Sequence, residues 1–409
     1  MADRTAARPR VFGLGLGEAT GAMADLGVMV PLAASLVLVN GLDPGAVMVG
    51  AGLLVLLAGL VFRVPFPVQP LKALAAVAVA EGLSPDVIHA AGLEIAVFLL
   101  LLSVGRVADL LARLFTKPVV RALQFGVGAL LVVAAARLAL EPPGVFAGVP
   151  ASPWPVVLAL AAFVWVTWAA RGGRYGAALA LMAGGILAAW LVAHPSFGGP
   201  ELRFPRLELP PPSAFSSAFL LLVVPQLPLT FGNAVVAVSD LARDYFGDRA
   251  RRVTPTSVCL SCGAGNVVAA VIGGMPMCHG AGGLTAHVRL GARTAGMNVL
   301  LGGAFLVLGL LFASQVPLVL AVLPVWALAA FLAYAGLRHA WLVADLRGWP
   351  MVLAVSTGAI GAAMGNLAVT AGAALLMVHG GRLLVRVTQP AGNGPRGPGS
   401  YATSSNTSS

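Results

Sequence analysis

The residues that could do chemistry in this chain mostly stand inside apolar sequence. Glu18 and Asp25 interrupt the first apolar run. Lys72 opens another, just behind Pro65-Phe-Pro-Val-Gln-Pro70. Cys278 and His279 head a third and are followed by Gly280, Ala281, Gly282 and Gly283. Gln226, Thr230 and Asn233 recur at spacings of four and three, near one face of a helix. A charge in hydrocarbon is costly and marks a polar path, a proton relay or a buried partner. Adjacent residues such as Cys278 and His279 point about 100° apart on a helix, which is a poor nucleophile–base arrangement. The sequence offers no Ser/His/Asp set and no metal-ligand spacing, so an enzyme, a metal centre or a cofactor is not expected. Gly13-x-Gly15-x-Gly17 follows no strand and belongs to no βαβ unit, so it reads as helix packing rather than a phosphate loop. With no nucleotide-binding motif, ATP is not the expected driver.

Binding is the chemistry that remains. Proline is favoured at a first helical position, so a helix is expected to begin near Pro70, with free N–H groups and a positive dipole end. Lys72 then adds a cation to the first turn, where it opposes the dipole unless an anion lies nearby. That anion is either Asp25 or a substrate. Gln69 is a neutral donor or acceptor just outside the helix. Gly280, Gly282 and Gly283 leave backbone N–H groups uncovered at a second helix start, aimed at the same point. His279 fits either a helix–helix hydrogen bond or a ligand role, and Cys278 a small packing residue. Neutral donors beside two helix N-termini suit an oxyanion better than a cation. Glu18, Asp25 and Glu81 are the carboxylates placed to carry protons, although Glu18 is equally placed for solvation at the membrane surface.

The elements that hold these groups follow from composition. Of 409 residues, 59% are hydrophobic and 10% charged, and mean hydropathy is +0.92. Soluble chains carry about 25% charged residues. A span needs about 20 apolar residues, so there is room for roughly a dozen. The fold class expected is an all-α polytopic membrane protein in contact with lipid along its length. Fourteen apolar segments can be drawn, and two of them, 68–82 and 278–288, are short and begin at Pro- or Gly-rich breaks. Paired breaks in two halves point to the binding site of an inverted-repeat transporter. Asp25 precedes Pro67 by 42 residues and Asn233 precedes Pro276 by 43, so the halves match in spacing. Seven elements per half is odd, which inverts the second half.

Charge gives the orientation. Net charge is +10, but the basic residues sit between apolar segments, so no nucleic-acid partner is expected. With the N-terminus in the cytoplasm, Arg137, Arg203 and Arg206 lie outside and Lys72 lies within the membrane. The other 21 of 25 basic residues are then cytoplasmic, as the positive-inside rule requires. A cell-membrane protein with both termini cytoplasmic is expected. The N-terminal arginines and apolar run imitate a signal peptide, but Glu18 and Asp25 interrupt the run, so it reads as an uncleaved helix. Cys259-x-x-Cys262, on a membrane helix, reads as packing.

Four stretches carry a resemblance: 17–32 (GEATGAMADLGVMVPL), 65–82 (PFPVQPLKALAAVAVAEG), 224–244 (VPQLPLTFGNAVVAVSDLARD) and 273–296 (GGMPMCHGAGGLTAHVRLGARTAG). Together they resemble the molybdate transporter family of plants and microbes, a branch of the sulfate permease superfamily without the STAS domain. The resemblance covers about residues 11–382. It implies seven-plus-seven inverted repeats with a core domain moving against a gate domain. Carried onto this chain, 11–117 and 213–314 form the core, and 118–194 and 315–382 the gate. Residues 1–10 are then a cytoplasmic N-terminus, 195–212 an external linker and 383–409 a disordered tail. The implied function is secondary transport of molybdate by alternating access, coupled to protons, with a homodimer as the assembly by analogy. The substrate-binding set is Gln69, Lys72, Gln226, Thr230, Asn233, Cys278, His279, Gly280, Ala281, Gly282 and Gly283. A sulfate or broad oxyanion permease is the alternative, since both anions are tetrahedral with charge −2. A nucleobase or bicarbonate carrier of the same fold fits less well with an environment of Gln, Gly and amide groups. Ser239-Asp240 departs from the family pattern and bears on coupling rather than on the substrate site.

Overall fold

The computed structural model describes residues 11–142, 144, 146 and 153–388, apart from Asp25 and Phe197. Helices α1 (Leu16–Met23), α2 (Leu26–Leu38) and α3 (Pro44–Phe62) lead to the half-length α4 (Lys72–Ala80). Then come α5 (Pro85–Ser103), α6 (Val107–Ala112), α7 (Lys117–Leu140), α8 (Trp154–Arg171) and α9 (Tyr175–Ala193). The second half opens with α10 (Ser213–Ala218), α11 (Val224–Leu229) and α12 (Val238–Phe246). These are joined end to end by π-helical turns at Phe219–Val223 and Thr230–Ala237. Next are α13 (Pro255–Val271), the half-length α14 (Ala281–Arg289) and α15 (Gly296–Leu311). The chain closes with α16 (Val316–Ala321), α17 (Val325–Ala340), α18 (Trp349–Ala363) and α19 (Leu367–Thr388).

Local sequence explains the starts and irregularities. Proline stands in the first turn of α3, α5 and α13, where a missing N–H costs nothing. The Asp43 side chain accepts the Ala46 N–H at 2.7 Å to cap α3, and Thr254 and Ser257 form a capping box on α13. Residues 225 and 228 are prolines within the helical run from 213 to 246. They withdraw two N–H donors, and the helix flanks them with π turns, a feature common at functional sites.

The packing carries the repeat. The α3 helix packs on α15 and α5 on α13, while α7 packs on α17 and α18. Exchanging the halves (α3 for α13, α5 for α15, α7 for α17) turns the first contact into the second and returns α7–α17 to itself. Small residues permit the close crossings. A Cβ on Gly52 would lie 2.9 Å from the Gly302 carbonyl oxygen, and one on Gly336 would lie 2.8 Å from that of Gly128. Helices α3, α5, α13 and α15 pack as one group, and α7, α8, α17, α18 and α19 as another. Six described helices are long and apolar enough to cross a membrane. Linker residues 201–208 lie across helix ends, with the Glu201 and Arg203 N–H groups donating to Leu311 and Leu310 and that of Glu208 to Val271.

Three expectations are corrected. The first apolar run, expected as a single uncleaved helix, is divided into α1, ending at Met23, and α2, beginning at Leu26. Its Gly21 carbonyl accepts from His287 Nδ1 at 2.7 Å and from the Ala24 N–H at 3.0 Å, which closes a tight turn there. Asp25 lies outside the described residues. The half-helices begin at Lys72 and Ala281, not at Pro70 and Cys278. Helix α19 continues to Thr388, beyond the 382 boundary expected for the tail. Residues 1–10 and 389–409 also lie outside the described residues.

Candidate functional site

The residues just before each half-helix are extended and pair with each other. Strands β1 (Gln69–Pro70) and β2 (Met277–Cys278) are antiparallel, with Gln69 opposite Cys278 and Pro70 opposite Met277. The Leu71 N–H adds a bond to the Pro276 carbonyl at 3.1 Å. Non-helical backbone at membrane depth must find partners within the protein, and here each break supplies the other's. Proline tolerates this edge because it has no N–H that needs an acceptor.

Three buried asparagines, absent from the sequence-based site, hold the breaks in place. Asn298 accepts the Phe66 N–H at 3.0 Å and donates to the carbonyls of Phe66 (2.7 Å) and Val55 (3.0 Å). Asn266 accepts the Met277 N–H at 2.8 Å and donates to the carbonyls of Met277 (2.7 Å) and Cys262 (2.9 Å). Asn40 donates to the Ala78 and Leu83 carbonyls at the far end of α4. Single amides inside apolar runs such as Gly-Met-Asn-Val-Leu were the available signal, since membrane helices use such residues as glue. Asn266→Ala would leave the Met277 N–H and C=O buried without this partner. Each lost partner costs about 1–3 kcal/mol, so the variant is expected to lose roughly 2–5 kcal/mol, seen as a lower unfolding temperature in detergent.

The start of α4 and Cys278, three residues before α14, border a cavity of about 720 Å³. Its wall includes Lys72, Gln226, Thr230, Asn233 and Cys278, with α2, α7, α17 and the end of α18 completing it. Lys72 Nζ donates to Gln69 Oε1 at 2.6 Å. Among the described residues none of the ion pairs involves Lys72. Gly280 is the residue before α14, and a Cβ there would lie 2.3 Å from Gln69 Oε1 and 3.4 Å from Lys72 Nζ. Neither α4 nor α14 has a side chain of its own capping residue on its N–H groups. Thr230 Oγ1 accepts from Gln226 Nε2 at 3.0 Å and keeps its own O–H to donate. Asn233 is 4% exposed, and its Oδ1 has no hydrogen-bond partner. A 180° turn of that amide would present its NH₂ instead.

Other expected site residues are engaged or lie elsewhere. Gln226 lines the cavity but is engaged at both ends: its Nε2 donates to Thr230 Oγ1, and its Oε1 accepts the Leu74 N–H at 3.0 Å and so satisfies one of the open groups of α4. His279 is fully buried behind the strands and is not among the cavity-lining residues. Its Nδ1–H donates to the Pro67 carbonyl at 2.8 Å, and its Nε2 accepts from Ser261 Oγ at 2.9 Å. Strand alternation explains this, since Cys278 faces the cavity and its neighbour must face away. The rings of Phe66 and Phe62 meet the imidazole edge-on. Gly282 faces Leu131 and Val127 of α7, and Ala281 and Gly283 are buried in the first turn of α14. Glu18 is buried outside the cavity, where Oε1 accepts the Arg293 and Thr294 N–H groups at 3.0 Å each. Glu81 caps the C-terminus of α4 and is exposed. Cys259 and Cys262 are buried free thiols in α13.

The profile of a family described as molybdate transporter of the MFS superfamily matches residues 17–131 and 218–338. The chain belongs to the molybdate transporter family. It is 30% identical to Molybdate transporter 2 of Arabidopsis thaliana, over 80% of this chain and 79% of that protein. Identity to Molybdate transporter 1 of the same plant is 31%, over 82% and 81%. Identity to Molybdate transporter 1 of Chlamydomonas reinhardtii is 30%, over 81% and 84%. Among solved structures, the transmembrane domain of the cyanobacterial bicarbonate transporter BicA aligns with a TM-score of 0.52 at 16% identity. That alignment covers 85% of this chain and 97% of BicA's domain. The anion transporter family member SLC26A9 aligns with a TM-score of 0.55 at 12% identity, covering 92% of this chain and 66% of that one. These likenesses establish the fold, seven-plus-seven inverted repeats. The protein is a multi-pass membrane transporter, not an enzyme.

Proposed function

We propose that this transporter carries molybdate across the cytoplasmic membrane by alternating access, and that the cavity bordered by the start of α4 and Cys278 is its substrate site. The bundle α1–α6 with α10–α15 acts as the core, and α7–α9 with α16–α19 as the gate. The observation that carries the proposal is the convergence of Lys72, the first turn of α4, Cys278 just before α14, Thr230 and Asn233 on one cavity wall. Each helix start offers a partial positive charge and open N–H groups. Lys72 adds a full charge that, among the described residues, no carboxylate pairs with. A tetrahedral dianion supplies what that wall lacks.

Uptake of labelled molybdate into proteoliposomes tests this directly. Molybdate is expected to bind with at least a tenfold preference over sulfate, about 1.4 kcal/mol. Equal affinities in a calorimetric titration would favour a general oxyanion permease.

Protons are proposed as the coupling ion, with Asp25 as the carrier. Glu18 is engaged by two backbone donors and Glu81 sits at an exposed cap, which leaves Asp25 as the carboxylate nearest in sequence to cavity residues Gly27 and Val28. Asp25→Asn is expected to abolish accumulation driven by a pH gradient while leaving molybdate exchange intact. Unchanged accumulation would remove Asp25 from the mechanism. The positive-inside count puts both termini, and the Arg121 end of α7, in the cytoplasm.

A further inference from the structure

One side-chain cluster outside the cavity joins the two bundles. Arg121, in the first turns of α7, is only 4% exposed, yet it meets three carboxylates. Nη2 donates to Asp244 Oδ2 and Asp345 Oδ2, both at 2.8 Å. Nε donates to Asp345 Oδ1 at 3.1 Å, and Nη1 to Asp240 Oδ2 at 3.1 Å and Gln124 Oε1 at 2.8 Å. Lys117 Nζ reaches Asp345 at 2.9 Å. Asp345 and Gln124 belong to the same bundle as Arg121, whereas Asp240 and Asp244 belong to α12 of the other. The two α12 carboxylates stand four residues apart on one face and repel each other unless a cation lies between them.

The cluster sits on the same two helical runs that line the cavity, beyond its floor. From Val127, a cavity residue, back to Arg121 is six residues of α7, about 9 Å at 1.5 Å per residue. From Asn233 on to Asp240 is seven residues, about 10 Å. Leu123 and the edge-on pair Phe115–Phe231 fill the interval: Leu123 is fully buried and touches the position of Gly232. At the other end the cavity reaches Arg137 of α7 and Met364, both exposed. The path is thus open at one end and closed at the other by an apolar layer backed by an ionic one.

Resting on the alternating-access reading, we infer that Arg121 with Asp240 and Asp244 is the gate that closes the cytoplasmic end of the substrate path and must part for release. The burial pattern makes such a gate reversible. Asp240 and Asp244 are 41% and 47% exposed, so water takes them up when they leave. Arg121 is never stranded, because Asp345 and Gln124 stay with it. A buried pair with no such second partner would be costly to open. While closed, the three carboxylates also repel a dianion that passes the apolar layer.

Cys278 lines the cavity and is the natural reporter. In a background with Cys259→Ala and Cys262→Ala it is the chain's sole thiol. A membrane-impermeant maleimide is applied to reconstituted protein from each side separately, without substrate. The parent is expected to react mainly from the Arg137 side. Asp240→Asn with Asp244→Asn is expected to raise labelling from the Arg121 side at least tenfold and lower it from the other. Asp244→Asn alone, which leaves Arg121 paired with Asp240 and Asp345, is expected to give an intermediate shift and serves if the double variant does not fold. Unchanged sidedness in a folded variant, whether or not its unfolding temperature falls, would overturn the gate and leave the cluster a packing feature. Protection of Cys278 by molybdate is measured in parallel. Its absence in every background would refute the substrate site without touching the sidedness result.

Discussion

Lys72→Ala is expected to weaken molybdate binding by about 2–5 kcal/mol, the range for truncating one partner of a buried, hydrogen-bonded charge pair. That is roughly a 30- to several-thousand-fold rise in Kd. Lys72 is one of two lysines among 25 basic residues, and the only one that lines the cavity. Its ammonium is a compact charge on a slim stem, fixed by Gln69 at 2.6 Å. Lys72→Arg is expected to impair transport as well, because a wide planar guanidinium must fit where Gly280 already approaches closely. Calorimetry on Lys72→Ala, Asp25→Ala and the double variant separates substrate binding from a structural Lys72–Asp25 pair. Full recovery of affinity in the double variant would sink the substrate role.

Gly280→Ala should cost about a hundredfold in transport, the scale of a 1 Å misplacement in a binding constellation. The added methyl would lie 2.3 Å from Gln69 Oε1. The glutamine can yield only by giving up its bond to Lys72, so one carbon displaces two members of the site. Gly303→Ala is the control, since a Cβ there meets nothing within 4 Å. Uptake by the two variants is compared at equal unfolding temperature. A similar loss in Gln69→Ala, with no further loss in the double variant Gly280→Ala/Gln69→Ala, would confirm that the added methyl acts through the Gln69–Lys72 pair. Full activity of Gly280→Ala would show that Gln69 and Lys72 do not act as a unit.

The difference between what could be read and what could not is clearest at the breaks. Pro65-Phe-Pro-Val-Gln-Pro70 and Gly273-Gly-Met-Pro276 announce interrupted helices because proline and glycine act locally. Nothing local says that Gln69 would stand opposite Cys278, since that pairing joins residues more than 200 apart. The same limit hid the parity of the short strand, which turns Cys278 to the cavity and His279 to Pro67 and Ser261. Gln226 was legible as a polar residue on the cavity face. Its use as a cap on α4 depends on where Leu74 comes to rest.

By itself, the sequence determined that the chain is a polytopic membrane protein of apolar helices, that its halves repeat, and that two short helices follow Pro- and Gly-rich breaks. Each of these rests on composition, charge or the backbone limits of single residues, which neighbours in space do not alter. Only the tertiary structure decided which polar groups face the cavity and which are spent holding it together. It assigned Asn266 and Asn298 to the backbone of the breaks and Arg121 to a seam between bundles. Those roles are pairings between distant segments. A buried polar group takes whichever partner packing brings within about 3 Å, and spacing along the chain carries no record of that partner.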